Sequence, residues 1–179
     1  MTPAEHRAGD RAGVACAVIT VSDTRTRETD IGGQRICALL AERGHRVTRH
    51  DIVRDEPDQV RSLVAGLCAA GDCAAVLLTG GTGLAARDTT FEAIDALLEK
   101  RIEGFGELFR MLSFAEIGAA AMLSRATAGV CRGVAVFSMP GSPGAVELAM
   151  QRLILPELGH LAGLLRGRAT ERNEESPAV

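Results

Sequence analysis

The chain predicts an α/β fold with a mostly parallel sheet covered by helices on both faces. Two observations carry that expectation. Apolar strand-like runs alternate with helical patterns from Val14 to Ile154, which implies right-handed strand–helix–strand crossovers. The loops rich in Gly, Ser, Thr and Asp each follow a strand, where ligands bind in such folds.

Val14 to Val21 is a continuous apolar run and reads as a buried strand. A polar loop, residues 22–30, follows. A helix is expected over about 33–43, with Ile36, Leu39 and Leu40 on one face and Gly44 as its stop. Arg46 to Val53 is a second, weaker strand. Asp55-Glu56-Pro57 opens another helix, in which Val60, Leu63, Val64 and Leu67 keep the i, i+3, i+4, i+7 spacing. Gly71 ends it. Ala74 to Thr79 is the third strand. Thr89-Thr90-Phe91-Glu92 has the form of a capping box and starts a helix through about Leu98. Gly104-Phe105-Gly106 breaks the pattern. A second capping box, Ser113 to Glu116, leads a helix toward Met122. Val134 to Met139 is a further buried strand, followed by a helix over about 145–154 and a last short one after Pro156. One domain, residues 13–165, is expected between a disordered N-terminus (1–12) and a disordered tail (166–179).

Composition narrows the function. At 179 residues, a single domain buries roughly 70% of its unfolded surface without staples. The net charge of −3 argues against a nucleic-acid partner held by bulk charge. No Trp or Tyr is available for base stacking. Five scattered cysteines without Cys-x-x-Cys spacing read as reduced thiols. No early apolar stretch resembles a signal peptide, and no run approaches the ~20 residues of a membrane helix. A cytoplasmic protein with no membrane partner is the expectation.

The chemistry concentrates in Thr79-Gly80-Gly81-Thr82-Gly83, which ends the third strand, and in Arg87-Asp88 just beyond it. Glycines let backbone N–H groups come close to a ligand because no Cβ intervenes. Arg87 carries a planar fork for anions. The loop is not a P-loop, since the Gly-Lys-Ser/Thr ending is missing. Its Gly-x-Gly-x-x-Ala spacing fits a dinucleotide fingerprint, but in the third unit rather than the first. Pro140-Gly141-Ser142-Pro143-Gly144 is either a rigid connection or a second cradle preorganised by its prolines. Asp55 and Asp88 are either first-turn helix acids or carboxylates beside a phosphate. In the second case they suit Mg²⁺, which takes one or two carboxylates plus phosphate oxygens. Ser22 and Asp23 read equally as turn residues, and Ser124 as a helix end.

Taken together, these residues resemble the MoaB/Mog family of molybdenum-cofactor biosynthesis proteins. The resemblance rests on Val21-Ser22-Asp23, Asp30-x-Gly32, Thr79–Gly83, Arg87-Asp88, Glu92-Ala93, Gly104–Arg110, Met122-Leu123-Ser124-Arg125 and Pro140–Val146, and it covers about residues 13–165 in unbroken order. It implies a three-layer α/β/α sandwich that assembles as a homotrimer or homohexamer. The implied activity is that of a molybdopterin adenylyltransferase: an adenylyl group passes from MgATP to molybdopterin. Other proteins of the pathway are implied partners. Asp55 and Asp88 match the family's functional carboxylates, and Ser22, Asp30 and Ser124 match positions lining its site. Transferase members commonly carry Thr-Pro-Glu-Ala after Arg-Asp. Here Thr90-Phe91-Glu92-Ala93 stands instead, closer to the MoaB-type branch, so a molybdopterin-binding scaffold of weak activity is the alternative. A nicotinamide-dependent oxidoreductase has only the Gly-x-Gly-x-x-Ala match behind it.

Overall fold

The computed structural model describes residues 13–174, with side chains described through residue 167. In chain order the elements are β1 (Ala15–Val21), α1 (Ile31–Glu42), β2 (Arg46–Val53), α2 (Pro57–Ala70), β3 (Ala75–Thr79), α3 (Thr90–Asp95), β4 (Lys100–Arg101) and α4 (Glu103–Ile117). A 3₁₀ turn (Gly118–Leu123) leads to β5 (Thr127–Cys131), β6 (Val134–Met139) and α5 (Pro143–Ala149). A π-helical stretch (Met150–Ile154) then joins α6 (Leu155–Glu174). The strands form one sheet in the order β2-β1-β3-β6-β5-β4. The first four are mutually parallel, and β5 runs antiparallel to both β6 and β4.

The topology follows from handedness. From β1 the chain steps outward to β2, then back over β1 to β3. Right-handed crossovers in opposite directions put α1 and α2 on opposite faces. Side-chain alternation along β1 matches: Cys16 and Val18 pack with Ile36, Leu39 and Leu40 of α1, whereas Ala17, Ile19 and Val21 pack with Val60, Val64 and Leu67 of α2. Helices α4, α5 and α6 share the face of α1, and Ile94 of α3 joins that of α2. The expected three layers are present. Among the described residues, no helix is long and apolar enough to cross a membrane.

Several boundaries differ from expectation. Gly104 and Gly106 lie inside α4 rather than breaking it. A Cβ at Gly106 would stand 2.8 Å from the Ala126 carbonyl, so this glycine lets α4 approach β5. Ser113 is buried within α4 and caps nothing. Thr89 makes no capping bond; its hydroxyl turns to Asp55 instead. β4 and β5 escape the apolar-run reading because β4 has only two residues, both exposed, and Gly129 interrupts β5. The Arg132-Gly133 turn to β6, with φ of 51° and 79°, is the tight hairpin that betrays β5. Helix α6 reaches Glu174, past the expected onset of a tail at residue 166. Once a helix is nucleated, each further residue adds a backbone bond without requiring an apolar stripe. Residues 1–12 and 175–179, expected to be disordered, lie outside the described residues.

Asp30 ties β1, β2 and α1 together. It is only 1% exposed. Its Oδ1 accepts the Gly33 N–H at 2.9 Å as the α1 N-cap. Its Oδ2 accepts Thr20 Oγ1 and His50 Nε2, each at 2.8 Å. A Cβ at Gly33 would collide with Asp30 Oδ2 and with both of its side-chain partners, Thr20 Oγ1 and His50 Nε2. Replacing Asp30 by Ala removes the cap and leaves the Thr20 hydroxyl and the His50 ring without an acceptor. We expect a loss of about 2–3 kcal/mol, measured as a lower midpoint in urea unfolding with an unchanged slope.

Candidate functional site

The four parallel strands end on one edge of the sheet, and the turns that follow them are stitched together there. Ser22 N donates to Val53 O at 2.8 Å, Gly80 N to Met139 O at 3.1 Å, and Thr79 Oγ1 to Pro140 O at 3.2 Å. Gly80 has φ +96°, and the space of its missing Cβ is taken by the Val21 carbonyl. A Cβ at Gly141 would come within 3.2 Å of Gly80 Cα. The loops after β1, β3 and β6 therefore meet at one backbone point that only glycine permits.

The glycine loop rests on the two expected carboxylates. Asp55 is 7% exposed. Its Oδ1 accepts Thr89 Oγ1 and Thr90 Oγ1 at 3.2 Å each, and Thr89 N at 3.4 Å. Its Oδ2 lies 2.6 Å from where a Cβ of Gly81 would stand. Asp88 Oδ2 accepts Ala85 N at 3.1 Å and fills the space beside Gly83. Gly81 has φ +67°. The Gly80 N–H, expected to face a ligand, is occupied by Met139. Among the described residues, those of Gly81, Gly83, Gly141 and Ser142 have no acceptor within the chain. These donors are the candidate cradle.

Arg125 fastens the loop from behind. It donates to Thr82 O at 3.0 Å, Asp88 O at 3.1 Å and Gly83 O. It pairs with Glu92 and lies 5.1 Å from the centroid of the Phe91 ring, a cation–π arrangement. In the sequence Arg125 stands beside Ser124 in Met122-Leu123-Ser124-Arg125, with no role evident from its spacing. The signal for it was the need of an exposed carbonyl-rich loop for a multidentate donor.

Two hollows flank this point. The larger, about 500 Å³, is lined by Gly80–Gly83, Ser124 and the Pro140–Gly144 turn over an apolar floor that includes Phe109 and Leu148. The smaller, about 290 Å³, is lined by Ser22, Asp30, Thr79 and Pro143 among others. Gly80 and Gly141 belong to both walls. The structure thus gathers Ser22, Asp30, Thr79–Gly83, Ser124 and Pro140–Gly144 around one doubled cavity, with Asp55 and Asp88 beneath its glycine strip. Asp30 joins it mainly as a helix cap, and Ser142 likewise caps α5 by accepting Ala145 N at 3.3 Å.

Arg87 and Asp23 are engaged with each other. Arg87 Nε donates to Asp23 Oδ2 at 2.6 Å and Nη2 to Glu56 Oε1 at 3.1 Å. Arg54 stands 3.5 Å from the other Asp23 oxygen. In this structure the Arg87 fork therefore links the β1, β2 and β3 loops. Its hydrogen bond, with its charge in support, draws the Asp23 carboxyl down to about 2.

The fold and this rim define an α/β ligand-binding domain with its cavity at the strand ends. Residues 17–160 match the family model described as a probable molybdopterin binding domain. Molybdenum cofactor biosynthesis protein B of Bacillus subtilis is 54% identical over 168 residues, spanning 93% of this chain and 98% of that protein. A crystal structure of a molybdenum cofactor biosynthesis protein B superposes with a TM-score of 0.86 at 52% identity, covering 88% of this chain and 98% of that one. The tungsten cofactor synthesizing protein MoaB from Pyrococcus furiosus superposes with a TM-score of 0.77 at 35% identity, covering 86% and 98%. The chain belongs to the MoaB/Mog family of molybdenum-cofactor biosynthesis proteins, as its motifs imply.

The Asp23–Arg87 tie makes a pH prediction. The Asp23 carboxyl is depressed on folding from 3.8 to about 2, so the stabilisation is complete above the unfolded value and is lost as pH falls through the folded one. NMR titration should place the Asp23 midpoint near 2 in the native chain and nearer 3.8 in Arg87→Ala. Equal midpoints in the two proteins would remove Arg87 as the cause.

Proposed function

We propose that this protein transfers an adenylyl group from MgATP to the terminal phosphate of molybdopterin, giving adenylyl-molybdopterin and pyrophosphate. A role in molybdenum-cofactor biosynthesis follows from family membership; the reaction is our reading. The observation that supports it best is the shared wall. Two hollows meeting at Gly80 and Gly141 suit two ligands whose reacting ends must touch, the geometry a group transfer needs.

The step joins two anions. An oxygen of the molybdopterin phosphate attacks the α-phosphorus of ATP, and the bond to the β-phosphate oxygen breaks as pyrophosphate leaves. The nucleophile is already ionised, so no general base is required. The protein's task is alignment and charge neutralisation. The free N–H groups of Gly81 and Gly83 receive phosphate oxygens, and those of Gly141 and Ser142 face them across the wall.

Among the described residues, no cluster of three or more His, Cys, Asp or Glu forms a metal centre of its own. The donor set instead fits a hard cation that arrives with phosphate oxygens: Asp55 and Asp88 would hold Mg²⁺ jointly with ATP. When bound, Mg²⁺ offsets phosphate charge. Asp55 is preorganised for this by three donors on one oxygen, which leave Oδ2 for the ion. Arg87, paired with Asp23 and Glu56, positions the loops in this reading.

A homo-oligomer belongs to the same reading. Helix α4 and the 3₁₀ turn expose Leu108, Met111, Phe114, Ile117, Met122 and Leu123, an apolar surface of the kind that partners cover. Ile117 and Leu123 also line the larger hollow, which would bring a neighbouring subunit close to the site.

The test is direct incubation with molybdopterin and MgATP, followed by mass spectrometry for the adenylylated product. We expect product from the native chain and a drop of about 10²-fold or more in Asp88→Ala. A chain that binds molybdopterin but releases no pyrophosphate would support the scaffold reading, toward which Phe91 in place of the transferases' proline points.

A further inference from the structure

A third hollow, about 230 Å³, lies on the other side of Ser124 from the larger cavity. It sits between α3, α4 and β5, and three arginines, Arg101, Arg110 and Arg125, line it together with two acids, Asp95 and Glu103. Two of the arginines are engaged. Arg101 pairs with Asp95 at 2.5 Å, and Arg125 is committed to Glu92 and the loop carbonyls. Arg110 differs. It is half-buried, and among the described residues it makes no ion pair or hydrogen bond within the chain. Its guanidinium folds back over Gly106, with Nη1 3.1 Å from where a Cβ would be. Any side chain at 106 would displace it.

A half-buried guanidinium with five unused donors lacks the pairing that such a charge ordinarily requires. The second observation is independent of it. Ser124 Oγ is buried and has no hydrogen-bond partner, and Ser124 lines both this hollow and the larger one. A serine hydroxyl rotates among staggered positions, so it can donate into either. Of the two acids in the lining, Asp95 is taken by Arg101 and Glu103 is exposed to solvent, so the half-buried fork and the unpartnered hydroxyl favour an acceptor-rich, negatively charged occupant. A water takes roughly 30 Å³, so the space admits a phosphate-sized ion with part of its hydration.

We infer that this hollow is a separate subsite for a tetrahedral oxyanion, held by Arg110 and completed by Ser124. It goes beyond the transfer reaction and does not depend on it. Its back wall is Arg125, whose other side holds Thr82, Gly83 and Asp88. An occupied subsite therefore presses on the residue that shapes the glycine loop. The oxyanion is either a free inorganic ion or the phosphate tail of a ligand that passes Ser124 from the larger cavity.

The experiment is amide NMR of the full chain without Mg²⁺ or pterin. Inorganic phosphate and ATP are titrated separately against chloride at matched ionic strength. We expect saturable shifts at Gly106, Ala126 and Thr127, weakened at least tenfold in Arg110→Gln and only partly in Arg110→Lys. Shifts with phosphate identify a free ion. Shifts with ATP alone identify a ligand's phosphate tail. If neither probe moves these signals, or if both variants respond like the native chain, the subsite is wrong. That outcome leaves adenylyl transfer untouched. Absence of product in the transfer assay, with Arg110-dependent shifts intact, would refute the reaction and keep the subsite.

Discussion

The site depends on one close approach of backbone to backbone. Gly80 is wedged between the Val21 carbonyl of the β1 end and Gly141 of the β6 loop. Had either glycine a side chain, the three loops would part, and the two cavities that share those residues would no longer adjoin. The neighbouring glycines serve a second purpose. Gly81 and Gly83 let the strip lie directly on Asp55 and Asp88. Acids beneath a phosphate cradle raise repulsion unless a cation intervenes, which is why the ligand we propose is a metal-bound nucleotide rather than a free anion.

Around that contact, charge is distributed to hold geometry. Arg125 supports the strip by its carbonyls, and Phe91 supports Arg125. Arg87 joins the loops after β1 and β2 to the loop after β3 through Asp23 and Glu56. These ties lie at the surface, where an ion pair adds little to global stability. Their effect is on the position of the loops. Stability comes from the two apolar layers and from buried anchors such as Asp30.

Much of this was legible in the chain. The parallel core was readable because buried parallel strands are short unbroken apolar runs, as at Ala75–Thr79 and Val134–Met139. Handedness then placed the loops at one edge. The antiparallel extension was not readable, because β4 is two residues long and β5 carries a glycine. Local patterns also misled at Thr89 and Ser113. Each has the right spacing for a cap, yet one hydroxyl serves Asp55 and the other residue is buried in mid-helix. Tertiary demand overrode local propensity in both. For the site, the glycine-rich motifs gave away the meeting of the loops after β3 and β6, since their residue type carries the geometry. The pairing of Arg87, the Arg125 brace and the capping duty of Asp30 needed distances that spacing does not hold.

The claim on which all else rests is that the loops after β3 and β6 form one binding surface. Amide chemical-shift mapping with MgATP tests it. The account predicts that signals of Gly81 and Gly83 move together with those of Gly141 and Ser142 and saturate at one common dissociation constant. Two different constants, or movement of one loop while the other stays still, would contradict it.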